Sequence, residues 1–415
     1  MALQGLLPLP AFILLGVLLV VTSHIYRTRS FSVRRPTKVL STSEEIRDLL
    51  DPINISLADQ LQARALPNQR LVRAFGISQS TFTSSSMAIH RTFRQNAMSR
   101  LKKVDSPERW PIFRDKADGI IGHYLLRGHQ GSEGDYIQFI RTVVFVSAMA
   151  IFFDYSGPLP GPDQVNLVTG WINEQWLLSK DPKDPKFEGY SAKRSEATIL
   201  LRQWIPHRDK DPFSQQPLEL ILPAYETLWR LVAHTFIYVE ATPAYRLVFH
   251  KFFSDPSKKE FKITYATLHS ASVSDVIQEV LRLHPPTKRI KRAQVNSPLP
   301  IIRRARILLN LFVPSTSGLE IAADIESLQR STVWDPLPHE FVAERHKDPT
   351  AAQRKAMMPF GIGPLQCIAA SMAPRLAGLI VAGIARREDI CLIRGTKRGD
   401  REGWEGWKIR KLIID

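Results

Sequence analysis

Two cysteines occur in the 415 residues, and one of them stands where a sulfur could be held as an anion. The stretch Pro359–Ala373, PFGIGPLQCIAASMA, sets a phenylalanine and two glycines ahead of Cys367 and small residues after it. A thiolate that ligates iron needs backbone N–H donors aimed at the sulfur, and a helix N-terminus behind it stabilises the anion further. The spacing predicts a small-residue helix opening at Cys367. Gly361 and Gly363 let the loop close around the sulfur, because glycine takes left-handed turns at little cost. Ala369, Ala370 and Ala373 leave room for a flat ligand against that helix. Cys391 lies in an apolar, strand-like run and reads as an inert core thiol.

Two further constellations could do chemistry. Glu279 and Arg282 are three apart, so a helix puts carboxylate and guanidinium on one face. Such a pair is common and is usually a solvated surface contact worth well under ~1 kcal/mol. In Leu222–Trp229, LPAYETLW, Glu226 and Thr227 set an acid beside a hydroxyl, a combination able to relay protons. His234-Thr235, farther along the same segment, competes for the hydroxyl role. A basic segment with His90, Arg91 and Arg94 could meet an anion, although most such residues are simply solvated.

The elements that must position these groups are mostly helical in period. Apolar residues recur at three-to-four spacing over Met87–Lys103, and Tyr136–Phe153 reads as a core helix interrupted by Arg141 and Ser147. Leu218–Val239 is a helix with Pro223 inside, closed by Pro243. Ser272 and Asp275 form a capping box that opens a helix through VIQEVLRL, stopped by Pro285 and Pro286. The glycine-bearing tail from Ile390 predicts small strands and turns. The fold class is therefore mainly α with a small β portion.

Composition narrows the partners. The formal charge is +16, with 56 Lys and Arg against 40 Asp and Glu, which favours anionic membranes, acidic protein faces or nucleic acid. With no zinc-finger spacing and no long basic run, no nucleic acid partner is expected. Residues 6–25 are apolar and uncharged, about the length that crosses a bilayer, and Arg27, Arg29, Arg34, Arg35 and Lys38 follow. The expected organisation is a transmembrane anchor over 1–26, a basic, proline-bearing linker over 27–40, and one catalytic domain over 41–415 in the cytosol, with the endoplasmic reticulum membrane as its location.

These motifs together resemble the cytochrome P450 family. The pattern F-G-x-G-x-x-x-C-x-A is similar to that family's haem-binding loop at Phe360, Gly361, Gly363, Cys367 and Ala369. The run EVLRLHPPTKRIKRA resembles its K helix, and WDPLPHEFVAERH its meander, with Phe341 and Arg345 at the matching positions. The resemblance implies haem as cofactor and Cys367 as its axial iron ligand. It further implies a buried ion network of Glu279, Arg282 and Arg345, oxygen activation by Glu226 and Thr227, and Arg94 at a haem propionate. Two positions depart from the pattern. Leu365 replaces a usually basic residue that contacts a propionate, so other basic residues must take that contact, and Pro223 replaces a usual alanine or glycine. The chain is also short for the family, which implies lost N-terminal sheet elements and curtailed substrate-recognition helices. The implied activity is insertion of one oxygen atom from dioxygen into a lipophilic molecule, with electrons from NADPH through a flavoprotein reductase, in a fungal secondary-metabolite setting. A haem-thiolate isomerase or dehydratase, and a membrane-anchored remnant that holds no haem, are the alternatives.

Overall fold

The computed structural model describes residues 37–127, 133–181, 191–209, 211–265, 271–294 and 319–412. The expected anchor over 1–26 and the first part of the expected linker lie outside them. Among the described residues, no helix is long and apolar enough to cross a membrane.

Helices dominate. In chain order the longer ones are α1 (Ser43–Leu50), α2 (Leu57–Phe75), α3 (Met87–Val104), α4 (Arg109–Arg127), α5 (Tyr136–Phe152), α6 (Pro162–Leu178), α7 (Ser191–Trp204), α8 (Leu218–Ala241), α9 (Pro243–Ser254), α10 (Val273–Leu283) and α11 (Ala373–Ala385). Their starts follow local chemistry: Thr42, Ser56, Ser86 and Asp135 each accept the N–H three residues on. Ser272 and Asp275 close the capping box of α10 from both sides. The helices expected over 87–103, 136–153 and 218–239 are α3, α5 and α8, with ends shifted by one or two residues.

The core follows from which of these are apolar all round. Nearly every side chain of α5 is buried, so α5 must be wrapped by other helices. Helix α8 packs against both α5 and α11, and α11 also packs against α4 and α9. Arg141 survives inside α5 because its Nη2 donates to the carbonyl of Arg401 at 2.8 Å and its guanidinium lies over the Trp229 ring.

Two small sheets flank this bundle. In the first, β1 (Thr37–Leu40) runs parallel to β4 (Glu320–Asp324), which pairs antiparallel with β3 (Arg289–Ala293). Strand β1 places 37–40, the last residues of the expected 27–40 linker, in a sheet. Its partner Glu320 lies 283 residues beyond Thr37, so no local pattern announces the pairing. In the second sheet, β2 (Glu133–Asp135) and β5 (Ile390–Ile393) both pair antiparallel with β6 (Lys408–Lys411). Cys391, on β5, is half-buried rather than sealed in the core. A second apolar cluster, including Leu40, Ile46, Ala323, Trp334 and Met358, fills the space beneath the first sheet.

One buried carboxylate ties α10 to the chain that leads toward Cys367. Glu279 and Arg282 have no exposed side-chain surface. Arg282 donates in a fork, Nε to Oε2 and Nη2 to Oε1, both at 2.7 Å. Arg345 Nε lies 3.3 Å from Oε1, the Val342 N–H donates to the same oxygen at 2.9 Å, and His346 Nε2 meets Oε2 at 2.8 Å. The remaining Arg282 donors reach the carbonyls of Gln329, Pro338 and Glu340. Phe341 of the same segment stacks on Tyr238 of α8, with centroids 3.8 Å apart. His346 is the member that the Glu-x-x-Arg spacing could not reveal.

Burial raises the Glu279 carboxyl, but hydrogen bonds from Arg282 and His346 outweigh it and hold the pKa at about 2, against an ordinary 4.5. A depressed folded-state value means that the network's contribution is complete above the ordinary value and is lost as pH falls toward the folded one. Glu279→Gln is expected to cost about 3–5 kcal/mol at pH 7, because two guanidiniums lose their counter-charge in the interior. Urea unfolding should show the gap between wild type and variant narrowing as pH drops from about 4.5 toward 2. An equal gap across that range would mean that Glu279 stabilises without its charge.

Candidate functional site

The cysteine loop is built by three backbone hydrogen bonds. The Gly361 N–H donates to the Met358 carbonyl at 3.0 Å, the Cys367 N–H to the Phe360 carbonyl at 3.0 Å, and the Gln366 N–H to the Gly363 carbonyl at 3.1 Å. Gly361 and Gly363 adopt φ of 67° and 71°, the left-handed region. At Gly363 a Cβ would stand 2.6 Å from Oδ1 of Asp51, the C-cap of α1, so both space and φ demand glycine. Phe360 packs on the main core and Ile362 on the second cluster, so the loop is gripped from two sides.

The expected helix does not open at Cys367. Residues 368–372 form turns, and α11 begins at Ala373, with Pro374 in its first turn setting the start. Stabilisation of sulfur charge thus falls to a nearer group. Burial pushes the Cys367 thiol up, and a hydrogen bond from the Ala369 backbone N–H acts against it. Cys367 is exposed, and it lines a large cavity.

That cavity measures about 2570 Å³ and collects the other candidates. Glu226 and Thr227 line it from α8, while His234 and Thr235 do not. Thr235 Oγ1 is spent on the Leu231 carbonyl at 2.7 Å, and His234 stacks on His284 with centroids 4.2 Å apart. Thr227 Oγ1 donates to the Pro223 carbonyl at 3.4 Å. Glu226 is buried and forms an ion pair with Arg401, a partner the sequence did not suggest.

Positive charge gathers near the cysteine loop. Arg94 of α3 lines the cavity and donates through Nη1 to the Pro364 carbonyl at 3.4 Å. Leu365, on the same wall, offers no charge. Two arginines that the sequence reading missed stand there: Arg64 of α2 and Arg292 of β3, both buried and both lining the cavity. Arg64 Nη2 and His90 Nδ1 both meet the Thr81 hydroxyl, and Arg64 Nε has no partner. Among the described residues, Arg64, Arg94 and Arg292 form no ion pair. Burial, then repulsion by Arg292 and Arg94, pulls Arg64 down to about 9, and burial pulls Arg292 to about 10. An arginine stays protonated at such values, so both side chains remain cationic. A signal existed for Arg292: strand alternation places it on the face of half-buried Ile290, away from exposed Arg289 and Lys291.

Residues 263–404 match the family model for cytochrome P450. A Caenorhabditis elegans protein named as cytochrome P450 cyp-13B1 is 35% identical over 74 residues, covering 18% of this chain and 14% of its own length. Trichothecene C-15 hydroxylase of Fusarium sporotrichioides is 27% identical over 165 residues, covering 37% of this chain and 32% of its own. The chain thus spans under a third of the length of these curated relatives in alignment. The crystal structure of CYP175A1 from Thermus thermophilus superposes with a TM-score of 0.63 at 15% identity, covering 92% of this chain and 90% of that one. Residues 263–404 thus match the cytochrome P450 model, and the superposition shows that the chain has the fold of that structure.

The residues present fit the family's haem. Cys367 offers one sulfur to the cavity, Ala369 and Ala373 keep that wall low, and the unpartnered Arg64 Nε with Arg94 and Arg292 offers cations to two propionates. Gly363→Ala is expected to lower stability by about 1–3 kcal/mol, the scale of a strained φ plus a steric conflict. Thermal melts of Gly363→Ala and of Gly363→Ala with Asp51→Gly, each against its own Gly363 parent, would test this: the second change removes the Asp51 Cβ, Cγ and Oδ1 and not the φ, so it should recover part of the loss. Full recovery would remove backbone strain from the account.

Proposed function

We propose that this chain is a membrane-anchored haem-thiolate monooxygenase that inserts one oxygen atom from dioxygen into a lipophilic small molecule. The observation that carries the reading is the placement of Cys367 on a wall of a large, mostly apolar cavity that Glu226 and Thr227 share from α8. Bound haem supplies the redox and dioxygen chemistry. The chain's own residues have other tasks. Cys367 presents sulfur, Ala369 N–H steadies its charge, and Arg64, Arg94 and Arg292 fix the propionates. Phe360, Gly361 and Gly363 shape the loop, and the network of Glu279, Arg282 and Arg345 holds that side of the fold rigid. Thr227 holds a hydroxyl proton at Oγ1 beside the cavity, and Glu226 stands next to it in the helix as the acid of a proton path.

A charge of +16 supports docking to the acidic face of a flavoprotein reductase that delivers electrons from NADPH. The apolar run over 6–25, with arginines after it, supports an anchor over 1–26 in the endoplasmic reticulum membrane and a cytosolic catalytic domain. The likeness to trichothecene C-15 hydroxylase supports a role in fungal secondary-metabolite biosynthesis. One observation favours a second reading: Glu226 is ion-paired with Arg401, which suits a haem-thiolate isomerase or dehydratase that needs no proton path.

A carbon monoxide difference spectrum of the reduced protein should show the red-shifted thiolate-type Soret band, absent in Cys367→Ala. No band from well-folded wild type would leave a remnant that holds no haem. With a substrate in hand, Thr227→Ala and Glu226→Gln should lower product formed per NADPH by about a hundred-fold, the lower range for general acid–base groups. Unchanged turnover in both would select the isomerase or dehydratase reading.

A further inference from the structure

The cavity holds a second cationic group, apart from the arginines set against the propionates. Trp176 of α6 has the Arg70 guanidinium and the Arg401 guanidinium each 4.9 Å from its ring centroid. Arg230 of α8 and Lys180, just past α6, complete the group, and all four cations line the cavity. Two are already paired: Arg401 with Glu226, and Arg230 with Asp400 at 3.2 Å. Arg70 donates to the Ser179 hydroxyl, and among the described residues neither Arg70 nor Lys180 forms an ion pair. Asp181 also lines the cavity beside Lys180.

Electrostatics here is unbalanced. Arg70 is pulled down to about 10 by burial and then by Arg401, with Glu320 opposing. Lys180 is lowered by burial, then by Arg401 and Arg70, with Asp400 opposing. Over the whole lining, twelve arginines and lysines meet five carboxylates, and of the twelve Arg100 and Arg289 are paired with Asp211 and Asp324 outside that lining. Three of the twelve answer the propionates in the proposed site. Fixed positive charge attracts an anion, the more so where burial keeps water away, as at Arg230 and Arg401; Arg70 is half-buried and Lys180 exposed. Leu71, Leu220, Leu228 and Leu231 line the same cavity and give it apolar surface.

We infer that the substrate is an amphipathic carboxylic acid, its carboxylate held by Arg70 and Lys180 beside Trp176 and its apolar body extended toward Cys367. A guanidinium fork matches a planar carboxylate, and the Trp176 face orients the fork from behind. The inference rests on reading the cavity as the substrate chamber, and it narrows the substrate from lipophilic to acidic.

The test is isothermal titration calorimetry of the full chain with dodecanoic acid, its methyl ester and dodecanol. The wild type should bind the acid at least ten-fold more tightly than either neutral probe. Arg70→Gln and Lys180→Gln should each weaken the acid about ten-fold, or ~1.4 kcal/mol, and leave the ester unchanged. Both side chains lie outside the closed core, and the comparison of acid with ester needs no variant, so a misfolded mutant does not spoil the test. Equal binding of acid and ester, or an unchanged ratio in both variants, would overturn the inference. A carbon monoxide spectrum of the same preparation separates the two readings. A thiolate-type band with equal binding of acid and ester sinks the acid substrate alone; a missing band with the acid preference intact sinks the monooxygenase and leaves the anion site standing.

Discussion

The carboxylate of Glu279 is the constraint on which the rest depends. It is buried without exposed surface, so it can exist as an anion only if every oxygen is met by donors, and Arg282, Arg345, His346 and the Val342 N–H provide them. Those donors come from two regions, α10 and the irregular chain that precedes the cysteine loop. Satisfying one charge therefore fastens helix to loop. The carbonyls of Gln329, Pro338 and Glu340 are drawn in by the same Arg282, and the Arg282 guanidinium lies over Trp334 at 5.2 Å. An irregular segment with few regular hydrogen bonds of its own acquires a single conformation in this way.

From that fixed segment the cysteine loop takes its geometry. Met358 enters the second apolar cluster, Phe360 the first, and the two left-handed glycines between them and Cys367 reverse the chain so that the sulfur faces the cavity. Positive charge then does on the cavity wall what no apolar contact could. The protein is basic overall, yet Arg64 and Arg292 on that wall are buried, where water screens charge least. Arg64 and Arg292 line the same cavity as Leu365, brought there by tertiary position from α2 and β3.

Much of the site was legible before the fold. Cys367, its glycines and the Glu279–Arg282 pair are local: spacing of a few residues places them on one loop or one helix face, and the physical demand on each residue type is specific. Helices α3, α5, α8 and α10 were likewise readable from periodicity and caps. Arg64 was not, because an arginine in an amphipathic helix looks the same in sequence whether it meets solvent or a cavity. Strand β1 was not, because its hydrogen-bond partner lies at the far end of the chain.

The spacing of residues around Cys367 and in α10 determines, by itself, that the cysteine follows two glycine turns and that Glu279 and Arg282 share one helix face. Where the counter-charges lie was decided only by tertiary structure. Glu226 meets Arg401 across 175 positions of sequence, Arg64 meets Arg292 through packing of α2 against β3, and Arg70 meets Trp176 between α2 and α6. Electrostatic interaction depends on distance in space and on local dielectric, and neither is written in the order of residues along a chain.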